Sequence, residues 1–313
     1  EGVNNFRVLL RSRRQPIDAA PAAREIFDGS YLYYQNKRSI ADFEIGLVPD
    51  TLGRDFGMLD LRIVAQNAFN YDEPVTVGYD IYSPQGKLLD FNIREVVIPG
   101  RTTDTVRFSP FIYGTNANKW EPGAKNPPLY KVMLFTRRDG AYREYMPLKI
   151  GFGKTELVDG RLTRFDKELK LVKAGYNAAA DRKTTLAELK ALKAKGNNTI
   201  CPDYPQPGWF YDLCDELGLY VIDCANINAP EKRDDRKVGG TPSNDPSLAD
   251  EYLERVKAMY YRSRNHSCVI AFALGGESGN GYNMYKAYEW LKSVEKSRPV
   301  ICADADGEWN SDL

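Results

Sequence analysis

Histidine is nearly absent: His266 is the only one in 313 residues. That excludes a histidine-based catalytic triad and any metal site built from several imidazoles. Five cysteines occur, Cys201, Cys214, Cys224, Cys268 and Cys302, and no two have CxxC spacing. A structural zinc site or a dithiol redox centre is therefore not indicated. Several of them sit in apolar runs, where free buried thiols are expected rather than disulfides. Charge of one sign is also missing. Lys plus Arg and Asp plus Glu both number 43, so the overall basic field that nucleic-acid binding needs is absent. No apolar run approaches the roughly 18–20 residues of a membrane span. No signal peptide is visible, and Glu1 opens directly into a strand-like segment, as in a processed or cut chain. The compartment stays open: periplasmic or secreted if a leader was removed, cytoplasmic otherwise.

What is present divides at about residue 150. Before it, Phe43, Ile45 and Leu47 alternate with polar neighbours, as do Leu59, Leu61 and Ile63, then Val75, Val77, Tyr79 and Ile81. The run Leu129–Phe135 is closed by Asp139-Gly140, a hairpin signal. Short strands separated by turns, with no helical pattern between them, predict a β-sandwich over 34–150. A linker is expected at Gly151–Asp159.

Beyond about residue 165 strands and helices alternate. Leu169–Ala174 reads as a strand, and Thr185-Leu186-Ala187-Glu188 has capping-box spacing for a helix ending at Gly196. Strands at Thr199–Pro202, Leu219–Ile222, Val269–Leu274 and Val300–Ala303 are separated by helices at Trp209–Leu217, from Asp245-Pro246 onward, and around Tyr285–Glu295. Four strand–helix units and a fifth strand predict the first part of a parallel α/β domain. Five strands cannot close a barrel, so the expectation is continuation past Leu313, completion by another chain, or an open sheet.

Glu277 follows the strand Val269–Leu274 after two glycines. In a (β/α)₈ barrel the C-terminal strand ends form the active face, which makes a carboxylate there a candidate acid or base. The bland alternative is an acidic first turn of a helix.

The sequence resembles glycoside hydrolase family 2, the β-galactosidase and β-glucuronidase group. Trp120-Glu121-Pro122 with Pro128-Leu129-Tyr130-Lys131-Val132 resembles "W-x-P-E-x-P-x-L-Y-x-V", a run of that family's immunoglobulin-like domain. Ile150-Gly151-Phe152-Gly153 resembles "IGFR", and Phe210–Asp223 is close to the family pattern throughout. Arg264-Asn265-His266 and Gly275-Gly276-Glu277-Ser278-Gly279 resemble "RNHPSV…LGNESG". Asn4–Leu10 resembles the last strand of the N-terminal jelly roll. The resemblance implies a jelly-roll end at 1–33, an immunoglobulin-like β-sandwich at 34–150 and a partial TIM barrel, strands 1–5, at 151–313.

It also implies a retaining glycosidase with Glu277 as general acid/base. That mechanism needs a second carboxyl group roughly 5–5.5 Å away as nucleophile. The family carries it on strand seven, so it is expected outside this chain, and 1–313 alone is expected to be inactive.

Several family positions differ. "GVNRHE" corresponds to Ala174–Ala179, including Asn177, and "RCSHYP" to Ile200–Pro205, including Asp203 and Tyr204. The magnesium-binding glutamate and histidine correspond to Asn228 and Pro230, so no metal site and no cofactor are expected. Gly276 stands where the family has the asparagine that holds the sugar 2-hydroxyl.

Asn177, Asp203, Tyr204, Gly276 and Trp309 are the candidate substrate-binding positions. Asp203 reads equally as a sugar ligand or a solvated loop carboxylate. Tyr204 and Trp309 could stack on a pyranose or anchor loops. Asp304, Asp306 and Glu308 read as a solvated acidic loop, with a pocket or cation role as the alternative. His266 reads as structural, at the stability face of the barrel. The expected partner is a β-glycoside, with no nucleic acid and no membrane, and a homo-oligomer is left open. Two functions remain: a β-glycoside hydrolase, or a non-catalytic relative that binds glycan or serves a structural role.

Overall fold

The structure is a computed structural model and describes residues 17, 18, 33–48, 56–122, 124, 126–153, 155–164, 167–179 and 181–313. The strand expected at Asn4–Leu10, with nearly all of the segment 1–33, lies outside the described residues.

Among the described residues eight strands come first: β1 (Arg38–Val48), β2 (Phe56–Asn67), β3 (Glu73–Tyr82), β4 (Leu88–Ile98), β5 (Thr102–Phe108), β6 (Phe111–Tyr113), β7 (Tyr130–Arg138) and β8 (Ala141–Ile150). They form two antiparallel sheets. One has the order β1-β2-β5 with β6 on β2, the other β4-β3-β7-β8. The period-2 pattern explains their packing. Leu59, Leu61, Ile63 and Ala65 on β2 and Val75, Val77, Tyr79 and Ile81 on β3 are all buried in one core shared by the two sheets. The β7–β8 hairpin turns at Asp139 and Gly140, both with positive φ, as its sequence signal requires.

The segment expected to be a linker is instead structured. Strands β9 (Thr155–Val158), β10 (Arg161–Arg164) and β11 (Lys167–Glu168) form a small antiparallel sheet. Its β9–β10 turn, Asp159-Gly160, repeats the same positive-φ dipeptide, so the sequence carried the signal.

Then come β12 (Lys173–Tyr176), α1 (Arg182–Ala194), β13 (Thr199–Pro202), α2 (Gly208–Leu217), β14 (Tyr220–Cys224), α3 (Ala249–Ser263), β15 (Val269–Ala273), α4 (Tyr282–Val294) and β16 (Val300–Ile301). The five strands pair in parallel in sequential order. The predicted alternation is correct, with three local corrections. Asp181, not Thr185, caps α1 by accepting from the Lys183 and Thr184 amides at 2.9 and 3.0 Å; Thr185 is buried inside the helix. Asp245 caps a short turn, Pro246–Leu248, and α3 begins at Ala249. The first parallel strand starts at Lys173, not Leu169. All five cysteines are free thiols, four of them buried. Among the described residues no helix is long and apolar enough to cross a membrane.

The β region is fastened to the parallel sheet by buried contacts. Trp120 is fully buried, donates Nε1–H to the Asp215 carbonyl at 2.8 Å and lies under the Arg164 guanidinium. Gly151 passes so near the Trp120 ring that any Cβ there would collide with it at 2.4 Å. Arg264, also buried, donates to Asp42 and the Phe43 carbonyl at 2.6 and 2.7 Å. Asn265 accepts from the Ile45 amide, and Ser267 Oγ accepts from the Gly151 amide.

His266 bonds through Nδ1 to Asp215 Oδ2 at 2.7 Å. Burial disfavours its charged form, but the hydrogen bond and charge of Asp215 outweigh burial and raise its pKa above 6.5. The ring thus ties the segment before β15 to α2.

Two measurements check this seam. Trp120→Ala should lower unfolding free energy by about 3–5 kcal/mol, the cost of deleting a buried tryptophan, in denaturant titrations. The raised His266 value means its ion pair contributes fully below pH 6.5 and is lost as pH rises through the folded value. The stability difference between wild type and His266→Gln should therefore shrink with increasing pH.

Candidate active site at the C-terminal strand ends

Because the five strands are parallel, the segments that follow β12 to β16 emerge at one edge of the sheet. The segment after β15 carries Glu277, whose side chain is 68% exposed while Ser278, Gly279 and Asn280 behind it are buried.

The local backbone explains this presentation. Gly275 and Gly276 pass against the loop after β14, where the Gly276 amide donates to the Ile227 carbonyl at 2.8 Å. The Ala229 amide donates to the Glu277 carbonyl at 3.0 Å and to Ser278 Oγ at 3.1 Å. Thr241 and Ser243 hydroxyls donate to the Ser278 carbonyl at 2.9 and 2.7 Å. From the other side, Asp304 Oδ2 accepts from the Ser278 and Gly279 amides at 2.7 and 2.6 Å. The turn is held rigidly with its carboxylate left outside.

Two arginines span this turn. Arg233 Nη1 lies 3.2 Å from Glu277 Oε2, and its Nη2 donates to Asp304 Oδ1 at 2.8 Å. Arg236 pairs with Asp306 at 2.7 Å and with Glu308. The segment after β14 thus reaches across the segment after β15 to the one after β16. The expectation of a solvated acidic loop is corrected for Asp304, which is buried because it is a hydrogen-bond hub. Glu308 is tied to Arg236, Tyr285 and Asn280. Arg233 and Arg236 escaped the sequence reading; their signal is the charged run Lys232–Lys237.

The other sequence candidates share this edge. Asn177 and Asp203 are exposed, after β12 and β13 respectively, and the Asp203 amide donates to the Tyr176 carbonyl at 3.1 Å. Tyr204 is partly buried; burial and the Asp203 charge raise its phenol pKa and keep it a hydrogen-bond donor. Buried Gln206, also missed in sequence, fastens these two loops by donating to the Asn177 and Tyr204 carbonyls and accepting from the Ala179 amide. Among the described residues none of Asn177, Asp203 and Tyr204 bonds to Glu277. Trp309 stacks on Tyr285 of α4 at 5.3 Å and meets Tyr288 edge-on. It anchors its loop on one ring face and remains 56% exposed. A Cβ at Gly276 would sit 3.1 Å from Asn228 Oδ1, so Gly276 is a close approach between two loops.

A divalent cation does not fit beside Glu277. Asn228 and Pro230 are exposed, proline has no side-chain donor, and its carbonyl accepts from the Arg233 amide at 3.3 Å. The charged group facing Glu277 is Arg233. Among the described residues one metal-type cluster converges, Asp215, His266 and Cys268 within 4.8 Å. Both Asp215 oxygens there already accept, from His266 Nδ1 and the Cys268 amide.

Residues 176–312 match the family description "Glycosyl hydrolases family 2, TIM barrel domain". By this match, and by the relatives that follow, the chain is a relative of glycoside hydrolase family 2. Among curated proteins it is similar to the β-galactosidase of Pectobacterium atrosepticum, 33% identical over 268 residues, covering 80% of this chain and 25% of that protein. The β-galactosidase of Vibrio cholerae is 34% identical over 185 residues, covering 56% and 18%. The chain therefore spans a quarter or less of these relatives. A family 2 member from Bacteroides cellulosilyticus has a TM-score of 0.69 at 16% identity, covering 85% of this chain and 36% of that one. A Parabacteroides merdae β-glucuronidase gives 0.67 at 18%, covering 85% and 34%. These two structures speak to the fold.

Asp304→Asn tests the turn. It removes a charged acceptor of two amides, so stability should fall by about 1.5–3 kcal/mol in denaturant titrations.

Proposed function

We propose that the chain is part of a retaining β-glycoside hydrolase in which Glu277 is the general acid/base. The observation that carries this reading is the exposed carboxylate of Glu277 on a rigid turn at the C-terminal end of β15, where barrel enzymes place catalytic groups. In this reading the two antiparallel sheets are an immunoglobulin-like sandwich at 34–150, residues 151–313 are strands 1–5 of a barrel, and 1–33 end a jelly roll. The substrate is a carbohydrate held by the loops bearing Asn177, Asp203, Tyr204, Gly276 and Trp309.

Hydrolysis needs a proton delivered to the departing oxygen and a carboxylate attack on the anomeric carbon. Glu277 supplies and then withdraws the proton. In this reading the attacking carboxylate is the one that the family resemblance puts on strand seven, outside residues 1–313. No metal takes part, since Asn228 and Pro230 supply no carboxylate or imidazole. A second reading, glycan binding without turnover, draws support from those same losses and from the guanidinium beside Glu277.

Turnover decides between them. In a form of the protein that includes the remaining barrel strands, Glu277→Gln should slow hydrolysis of β-glycosides with poor leaving groups by about 10²–10⁴-fold, the usual worth of a general acid. Activated aryl glycosides, which need little protonation, should slow far less. Equal loss on both substrates would remove Glu277 from the acid role. No turnover by that longer form on either would favour the binding reading.

A further inference from the structure

We propose that the Arg233 guanidinium is the resident cation of this site: a positioning residue that fixes the Glu277 carboxylate and fills the place a divalent ion would need. The proposal deepens the reading of Glu277 above and rests on it for its functional meaning.

Three observations carry it. First, Arg233 is forked between two carboxylates from different loops, Nη1 to Glu277 Oε2 at 3.2 Å and Nη2 to Asp304 Oδ1 at 2.8 Å. A planar guanidinium suits this bridging because its donors lie in a fixed fork. Second, Asp304 is the group whose other oxygen holds the Ser278 and Gly279 amides. Arg233 therefore ties the Glu277 side chain to the anchor of its own backbone turn. Third, the Arg233 main chain is pressed against that turn. Gly279 has φ +69°, and a Cβ on it would lie 2.4 Å from the Arg233 carbonyl oxygen. The start of the arginine side chain is therefore held beside the turn that carries Glu277.

An exposed ion pair contributes little to stability, so the effect of Arg233 is on charge and geometry at Glu277. Each of the two carboxylates has one oxygen on the same guanidinium, which supplies the positive charge between them. With Arg233 present that charge is covalent, permanent and independent of metal supply. The alternative donors on the neighbouring loop are Asn228, a neutral amide, and the Pro230 carbonyl, which is engaged by the Arg233 amide. The site is therefore built for an organic cation, and removal of Arg233 leaves Glu277 Oε2 and Asp304 Oδ1 without their shared cation and open to a divalent ion.

The test uses manganese(II) alone, with bound metal read by electron paramagnetic resonance. Wild type and Arg233→Lys, which each keep a cation, should take up no stoichiometric metal at about 1 mM, while Arg233→Ala should bind at least about tenfold more tightly, as ligand charge tunes such sites. That gain should vanish in Arg233→Ala/Glu277→Gln. Thermal melting establishes that each variant is folded, and Arg233→Met, which retains the aliphatic stem, replaces the alanine variant if that one is not. Glu277-dependent metal uptake by the wild type would overturn the proposal. So would a folded Arg233→Ala or Arg233→Met that binds manganese no better than wild type. The titration needs no turnover, so the glycosidase reading can fail while this one stands, and the reverse.

Discussion

Asp215 holds the molecule together. Its carbonyl accepts the indole proton of Trp120, one carboxylate oxygen accepts the Cys268 amide at 2.7 Å, and the other bonds His266. One buried residue on α2 thereby joins the β region, the start of β15 and the only histidine of the chain. Burying such a carboxylate is costly unless every acceptor site is used. Here the acceptors are used, with Trp120 from the β region on the carbonyl and His266 and Cys268, from the segment before β15, on the carboxylate. The alignment of β15, and hence the position at which Glu277 leaves the sheet, depends on that junction.

The same logic gives the run Arg264–Ser267 its meaning. Arg264 reaches Asp42 and Phe43, Asn265 reaches Ile45, His266 reaches Asp215, and Ser267 reaches Gly151. Of four consecutive side chains, three reach across to the β region or its end and one, His266, to α2. In the sequence they are merely a polar segment before an apolar strand. Similarity to a family motif singled out Arg264, Asn265 and His266, and the structure adds Ser267: together they fasten the end of the parallel sheet that lies opposite Glu277.

Much of the fold could be read in the sequence because it is written in local periods. Alternation in β2 and β3, positive-φ dipeptides at hairpins and the strand–helix rhythm after residue 167 all depend on neighbours a few positions apart. The errors fall where two local signals compete. Thr185 has the spacing of a cap, but Asp181 lies nearer the true helix start and has the stronger acceptor. Asp159-Gly160 was overshadowed by the expectation of a linker. At the candidate site the sequence pointed to Glu277 and to Asn177, Asp203, Tyr204, Gly276 and Trp309 on the same edge, but not to the contacts that hold their loops. Arg233, Gln206 and Asp304 act on loops that are distant in sequence, and no spacing rule connects Lys232–Lys237 to the turn after β15. A charged run looks the same whether it faces water or bridges two carboxylates.

The buried Asp304 also orders events in time. The turn displaying Glu277 is completed by an acceptor that follows Ser278 by 26 residues, after α4 and β16. As the chain emerges from the ribosome, N-terminal elements can settle first, and β15 can pair with β14 as soon as both are available. The Glu277 turn cannot be finished then. Its two inward-facing amides wait for a side chain that is not yet made, and Arg233 waits for the second arm of its fork. The β region and the early parallel strands can be assembled before the carboxylate is aimed.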